Sequence, residues 1–164
     1  MSEIFEGRCS CGALTYRMTS RPIITHCCHC SYCQRETGSA FAINAIIEAD
    51  RIEVLSGKSV EETIPSLSEN GLIMVRCAQC QTTVWTHYMQ DRFTSWLRVG
   101  TLDNSQEIAP DVHIYTGTKQ PWVAIPDNVP SFDEFYDWEN NTFWPKESKE
   151  RDRVLMEKIN LTET

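Results

Sequence analysis

Eight cysteines stand in a chain of 164 residues, and their spacing restricts the fold more than any other feature. They fall in three groups: Cys9 and Cys11; Cys27, Cys28, Cys30 and Cys33; and Cys77 and Cys80. Residues one apart in an extended chain share a face, and their Cβ atoms sit too far apart for an unstrained disulfide. The Cys-x-Cys pairs 9/11 and 28/30 therefore argue for metal, whose bonds to sulfur of about 2.3 Å span the gap. Seven of the eight cysteines are expected as thiolate ligands of two separate zinc ions. Such a cysteine count also suits a reducing compartment, where metal or catalysis is favoured over disulfides.

Bulk properties narrow the setting. The length fits one domain with a sizeable core, and 41% hydrophobic residues is ordinary for a globular protein. No apolar run is long enough to cross a bilayer. Residues 1–8 lack the basic and then apolar regions of a signal peptide, so a cytoplasmic location is expected. The formal net charge of −8 argues against a nucleic-acid partner, whose phosphates call for a basic face.

Hydrophobic patterning reads as mostly β. Leu14, Tyr16 and Met18 alternate onto one face, and residues 40–47 read as a buried strand. Strands are expected at 51–55 and 60–64 around the turn signal Ser56-Gly57-Lys58, and at 72–76 after a hairpin-type Asn70-Gly71 turn. Further strands are expected at 82–86, 93–99, 112–115 and 122–125, with a loop over 127–136. Residues 146–160 are the one helix candidate, carrying a narrow apolar stripe of Val154, Leu155 and Ile159 for packing on the sheet.

The cysteine groups divide by number. Cys9, Cys11, Cys77 and Cys80 form a natural four-thiolate set, the usual closed form of a structural zinc. A redox Cys-x-x-Cys motif or buried apolar thiols are the competing readings. Cys28, Cys30 and Cys33 supply three local thiolates, with Cys27 and His29 pointing away. Three protein ligands and an open position describe a reactive zinc; a second structural zinc closed by His26, His29 or Cys27 is the other reading. Three thiolates leave the metal at about −1 overall, better suited to holding a fourth sulfur than to making hydroxide. That chemistry points to a thiol substrate.

The order of motifs then becomes recognisable. Gly7-Arg-Cys-Ser-Cys-Gly-Ala13, Cys28-His-Cys-Ser-Tyr-Cys-Gln-Arg-Glu-Thr-Gly-Ser-Ala-Phe41 and Arg76-Cys-Ala-Gln-Cys80 resemble the glutathione-dependent formaldehyde-activating enzyme family, which includes the domain of centromere protein V. Pro110-Asp-Val-His-Ile-Tyr115, Thr118-Lys-Gln-Pro-Trp122 and Asp127-Asn-Val-Pro-Ser-Phe132 look like that family's C-terminal signature. The resemblance implies several twisted antiparallel β-sheets with zinc-binding knuckles, to which the sequence adds a C-terminal surface helix. It implies a family-like zinc-binding domain over 1–136, leaving 137–164 as a partly helical extension. It implies a structural zinc on Cys9, Cys11, Cys77 and Cys80, and a catalytic one on Cys28, Cys30 and Cys33. It also implies carbon–sulfur lyase chemistry, with glutathione as substrate and formaldehyde joined to its thiol. Gln81 departs from the family, standing where glycine is frequent and a left-handed turn is expected.

Among other residues, His29 is an acid–base candidate or a neighbour that orients a thiolate. Arg35 and Lys119 are candidates for the carboxylates of a glutathione-like substrate, and Trp122 for a substrate platform. His113 reads as a sheet histidine. A zinc-dependent lyase leads; a non-catalytic zinc scaffold that binds a partner is the alternative.

Overall fold

The computed structural model describes residues 3–66, 71–88 and 91–162. Ten strands and two α-helices follow in order: β1 Phe5–Arg8, β2 Thr15–Met18, β3 Ile24–Cys28, α1 Ser31–Thr37, β4 Ala42–Glu48, β5 Ile52–Ser56, β6 Ser59–Ile64, β7 Leu72–Cys77, β8 Thr83–Tyr88, β9 Thr94–Arg98, β10 Val112–Ile114 and α2 Lys146–Thr162. They form a three-stranded sheet, β1-β2-β5, and a seven-stranded sheet, β10-β3-β4-β9-β8-β7-β6. The fold is mainly β and antiparallel, as expected, except that β10 pairs with β3 in parallel.

The large sheet is buried on both faces at β3 and β4, which explains why β4 is apolar on both faces apart from Asn44 and Glu48, whereas β6 at the far edge is exposed. Ala45 and Ile47 join one core with Leu14, Tyr16 and Met18 of the small sheet. Ala42 and Ile46 join a second core with Cys28, Cys33, Tyr136, Trp144 and Leu155. The turn at Ser56-Gly57-Lys58 hands the chain from one sheet to the other, because β5 pairs with β2 and β6 with β7. Gly57 is required there: its φ is +85°, and a Cβ would lie 2.0 Å from the Ala13 carbonyl oxygen. Asn70 of the expected Asn70-Gly71 turn lies outside the described residues.

Three expectations change. Residues 122–125 are not a strand: Pro121 and Pro126 bracket them, Val123 N bonds back to Gln120 O at 3.0 Å, and the segment is loop. Residues 31–37 fold as α1, ended by Gly38 at φ +65°. In α2, Leu155 is buried and Ile159 packs on the second core, whereas Val154 is 40% exposed and lies off the packed face. Arg151 anchors that helix to β4 through Glu48, with Nη2 donating to Oε2 at 2.5 Å and Nε to Oε1 at 2.9 Å.

Candidate functional site

The first cysteine set is built from two similar turns. Cys9 N bonds Leu14 O and Cys77 N bonds Thr82 O, each at 3.0 Å, so the β1–β2 and β7–β8 connections fold back in the same way. Gln81 holds φ +61°, the left-handed conformation that glycine adopts without a Cβ penalty. The turns bring Cys9, Cys11, Cys77 and Cys80 together. Cys9 Sγ lies 3.5 Å from Cys11 Sγ, and Cys11 Sγ lies 4.0 Å from Cys77 Sγ. Four thiolates bound tetrahedrally at about 2.3 Å sit about 3.8 Å apart, so these sulfurs fit one metal ion. Cys9 and Cys77 are buried, and the group joins the small sheet to the large one.

The second set lies where β3 runs into α1. Cys28 ends β3, Cys30 is the N-cap of α1, and Cys33 sits in the helix's first turn. All three are buried, and their sulfurs lie within 4.8 Å of one another. Cys30 Sγ accepts a hydrogen bond from Cys33 N at 3.3 Å, which replaces the usual hydroxyl or carboxylate cap. The negative charge of the set concentrates on Cys30. Hydrogen bonds from the Cys28 and Cys33 thiols, then the backbone amides of Cys33 and Tyr32, hold its thiol far below the usual range. Cys28 is pushed up by sharing protons with Cys30 and Cys33, and then by burial. Three buried thiols that share their protons at one point form a donor set suited to a metal ion.

Three further residues influence this set: Tyr88 and Arg98 had no sequence signal, and Tyr115 lay in the family-like C-terminal motif without an assigned role. The Tyr115 phenol is held protonated by burial and by the charge of Cys28 and Cys30; its backbone is left-handed at φ +56°. Tyr88 is pushed up by burial and by Cys33. Arg98, 8% exposed, donates to Glu36 Oε2 of α1 and to Asn44 Oδ1 of β4, both at 2.6 Å. This ion pair fixes α1 on the sheet. The Cys33 thiol is pushed up to about 11: a hydrogen bond with Cys28 draws it down, Cys30 and burial outweigh that, and Arg98 opposes them only weakly.

The remaining sequence candidates are dispersed. His29 is fully buried and grouped with Cys27 and His113 rather than with the three thiols. Burial, then the charges of His113 and Lys119, lower it to about 4, which keeps it neutral. Its carbonyl accepts from Gln34 Nε2 at 2.7 Å and Thr118 Oγ1 at 3.0 Å, which fixes the backbone between Cys28 and Cys30. Arg35 is exposed in the last turn of α1. Lys119 Nζ donates to the carbonyls of Gln120 and Val123, and Trp122 is 74% exposed.

The chain is similar to known proteins. The family model of the glutathione-dependent formaldehyde-activating enzyme matches residues 4–118. A Halomonas elongata protein, provisionally named as such an enzyme, is 27% identical over 130 residues, covering 74% of this chain and 81% of the relative. A crystal structure of a Rhodobacter sphaeroides protein is 18% identical, with a TM-score of 0.45 over 64% of this chain and 91% of the other. The family match spans both cysteine sets and most of the two sheets, and on it the chain belongs to the glutathione-dependent formaldehyde-activating enzyme family.

Proposed function

We propose that the chain is a zinc-dependent enzyme that forms and breaks a carbon–sulfur bond, joining formaldehyde to the thiol of glutathione. The observation that carries this reading is the buried group Cys28, Cys30 and Cys33, three thiols facing one point, set apart from a four-thiol group. Three ligands suit a metal that keeps a fourth position, and four suit a closed structural ion. Two zinc ions per chain follow. Zinc held by Cys28, Cys30 and Cys33 would supply a soft Lewis acid that keeps a substrate sulfur deprotonated near neutral pH.

The chain's own residues complete the step. Substrate sulfur donates an electron pair to the carbonyl carbon of formaldehyde, the carbon–oxygen π pair moves to oxygen, and that oxygen takes up a proton. Tyr115, a phenol packed on the core that holds the thiols, is the proposed donor, with Tyr88 the other phenol whose titration the thiols influence; solvent then returns a proton to the phenolate left behind. Cleavage runs the same transfers backwards, with a phenolate regaining its proton. His29 acts as a positioning residue, holding the short segment that presents Cys28 and Cys30. Arg35 and Lys119 are the proposed partners of the substrate's carboxylates, and Trp122 the proposed platform. Residues 1–136 form the zinc-binding domain in this reading, and 137–164 an extension that covers its second core.

Formaldehyde and glutathione also combine without a catalyst, so the test is the exchange rate between free and adduct glutathione measured by NMR. Wild-type protein should accelerate exchange, and Cys33→Ser should fall to the background rate. Background exchange with zinc-loaded wild type would overturn the reading in favour of a zinc scaffold.

A further inference from the structure

Behind the three thiols, on the opposite side of β3, lies a second kind of donor set. Cys27 and His29 are one residue apart and share a face, as alternate positions of an extended chain do. The parallel pairing of β10 with β3 places His113 opposite Cys27. The result is a compact group in which Cys27 Sγ lies 3.5 Å from His29 Nε2, and His29 Nε2 lies 2.8 Å from His113 Nδ1. Cys27 is 1% exposed, His29 0% and His113 8%. The two imidazoles meet edge to edge through those nitrogens, with ring centroids 5.2 Å apart and ring planes 21° apart, and Phe41 packs edge-on against His29.

We propose that Cys27, His29 and His113 form a third metal site, for a borderline divalent cation of the zinc type, which clamps the edge strand β10 to β3. Tetrahedral bonds of about 2.0 Å to nitrogen and about 2.3 Å to sulfur put nitrogen and sulfur about 3.6 Å apart, and two nitrogens about 3.3 Å apart. The Cys27–His29 separation already matches. The two imidazoles, now in line through a shared proton, need to part by about 0.5 Å and tilt so that both nitrogens face one cation. A neutral hydrogen bond between the histidines explains their contact, but it gives no role to a buried thiol that faces the same nitrogen. The clamp has a structural purpose: β10 is a three-residue edge strand, and its partner β3 leads directly into the reactive thiols.

The donor set also predicts rank. One thiolate and two neutral imidazoles leave a divalent ion at about +1, against about −1 for three thiolates, so the cation is held less strongly. His29 Nδ1 is buried with no hydrogen-bond partner, so it lacks the outer contact that orients most ligating imidazoles. The site therefore fills last and empties first.

Cobalt titration of the reduced, metal-free full chain counts the sites. Wild type should bind three equivalents, the third without adding to the thiolate-rich charge-transfer absorption of the first two at comparable strength. Cys27→Ser and His113→Gln should each bind two. If these variants fold poorly, nitrogen NMR of histidine-labelled wild type decides alone: the third equivalent of zinc should shift the imidazole nitrogens of two buried histidines. Saturation at two equivalents in wild type, a third equivalent retained in both variants, or unmoved histidine signals would overturn the proposal.

Discussion

Cys30 caps the helix that carries Cys33: its sulfur accepts the Cys33 amide at 3.3 Å, so one atom both ends the extended segment and faces the metal position. Helix formation and ligand placement are thus the same local event. Cys30→Ser should keep the cap, since a hydroxyl accepts the same amide, while losing the metal of the second set. Cys30→Ala should lose the metal as well and a further ~1 kcal/mol of stability. Denaturant melts of the two variants, each stripped of metal at that set, measure the difference; equal stabilities would show that the cap contributes nothing.

The two cysteine sets should fail differently. Cys77 is 1% exposed and belongs to the group that joins the small sheet to the large one. Cys77→Ser should therefore cost on the order of 5 kcal/mol, comparable with the whole stability of many domains. Cys33→Ser removes one ligand from a set confined to one stretch of chain, and the fold should persist. Circular dichroism melts of zinc-loaded variants separate the cases, and equal losses would mean that both ions are structural.

The helix α2 should depend on pH through one ion pair. Burial alone raises the Glu48 carboxyl, but hydrogen bonds from Arg151 outweigh it and hold the group below its usual range. A carboxyl depressed in the folded state stabilises it above the unfolded pKa, and that stabilisation is lost as pH falls through the folded value. Arg151→Met should cost about 2 kcal/mol at neutral pH, because it leaves a mostly buried carboxylate with only the longer 3.4 Å contact to Arg51. The gap between variant and wild type should close as pH falls below the ordinary carboxylate range. Comparing the two at each pH cancels the loss of zinc in acid. A gap that does not change with pH would remove Glu48 from the account.

Periodicity made much of this fold legible before any coordinates. Leu14, Tyr16 and Met18 alternate in sequence and are all fully buried, and β4 reads as buried because both its faces are. The helix α1 was hidden because its cap is a cysteine, a residue without the cap signature, and because seven residues show little helical period. Residues 122–125 look like a strand by hydrophobicity, yet two prolines remove the amides a strand would use. The four-thiol group could be read from spacing. The meeting of Cys27 with His113 could not, since a parallel pairing between residues 86 apart in sequence is decided by tertiary packing. Nor could the phenols of Tyr88 and Tyr115 be placed, because tertiary packing alone brings each within electrostatic reach of the thiols.

The central claim is that the set formed by Cys28, Cys30 and Cys33 receives a thiol. Cobalt in place of zinc reports each sulfur ligand by absorption, and millimolar glutathione added to the cobalt protein is the direct measurement. The account predicts a stronger sulfur-to-cobalt charge-transfer band, present in wild type, absent in Cys33→Ser, and without change in the signal of the four-thiolate set. A wild-type spectrum that stays the same with glutathione, and with other small thiols, would contradict it.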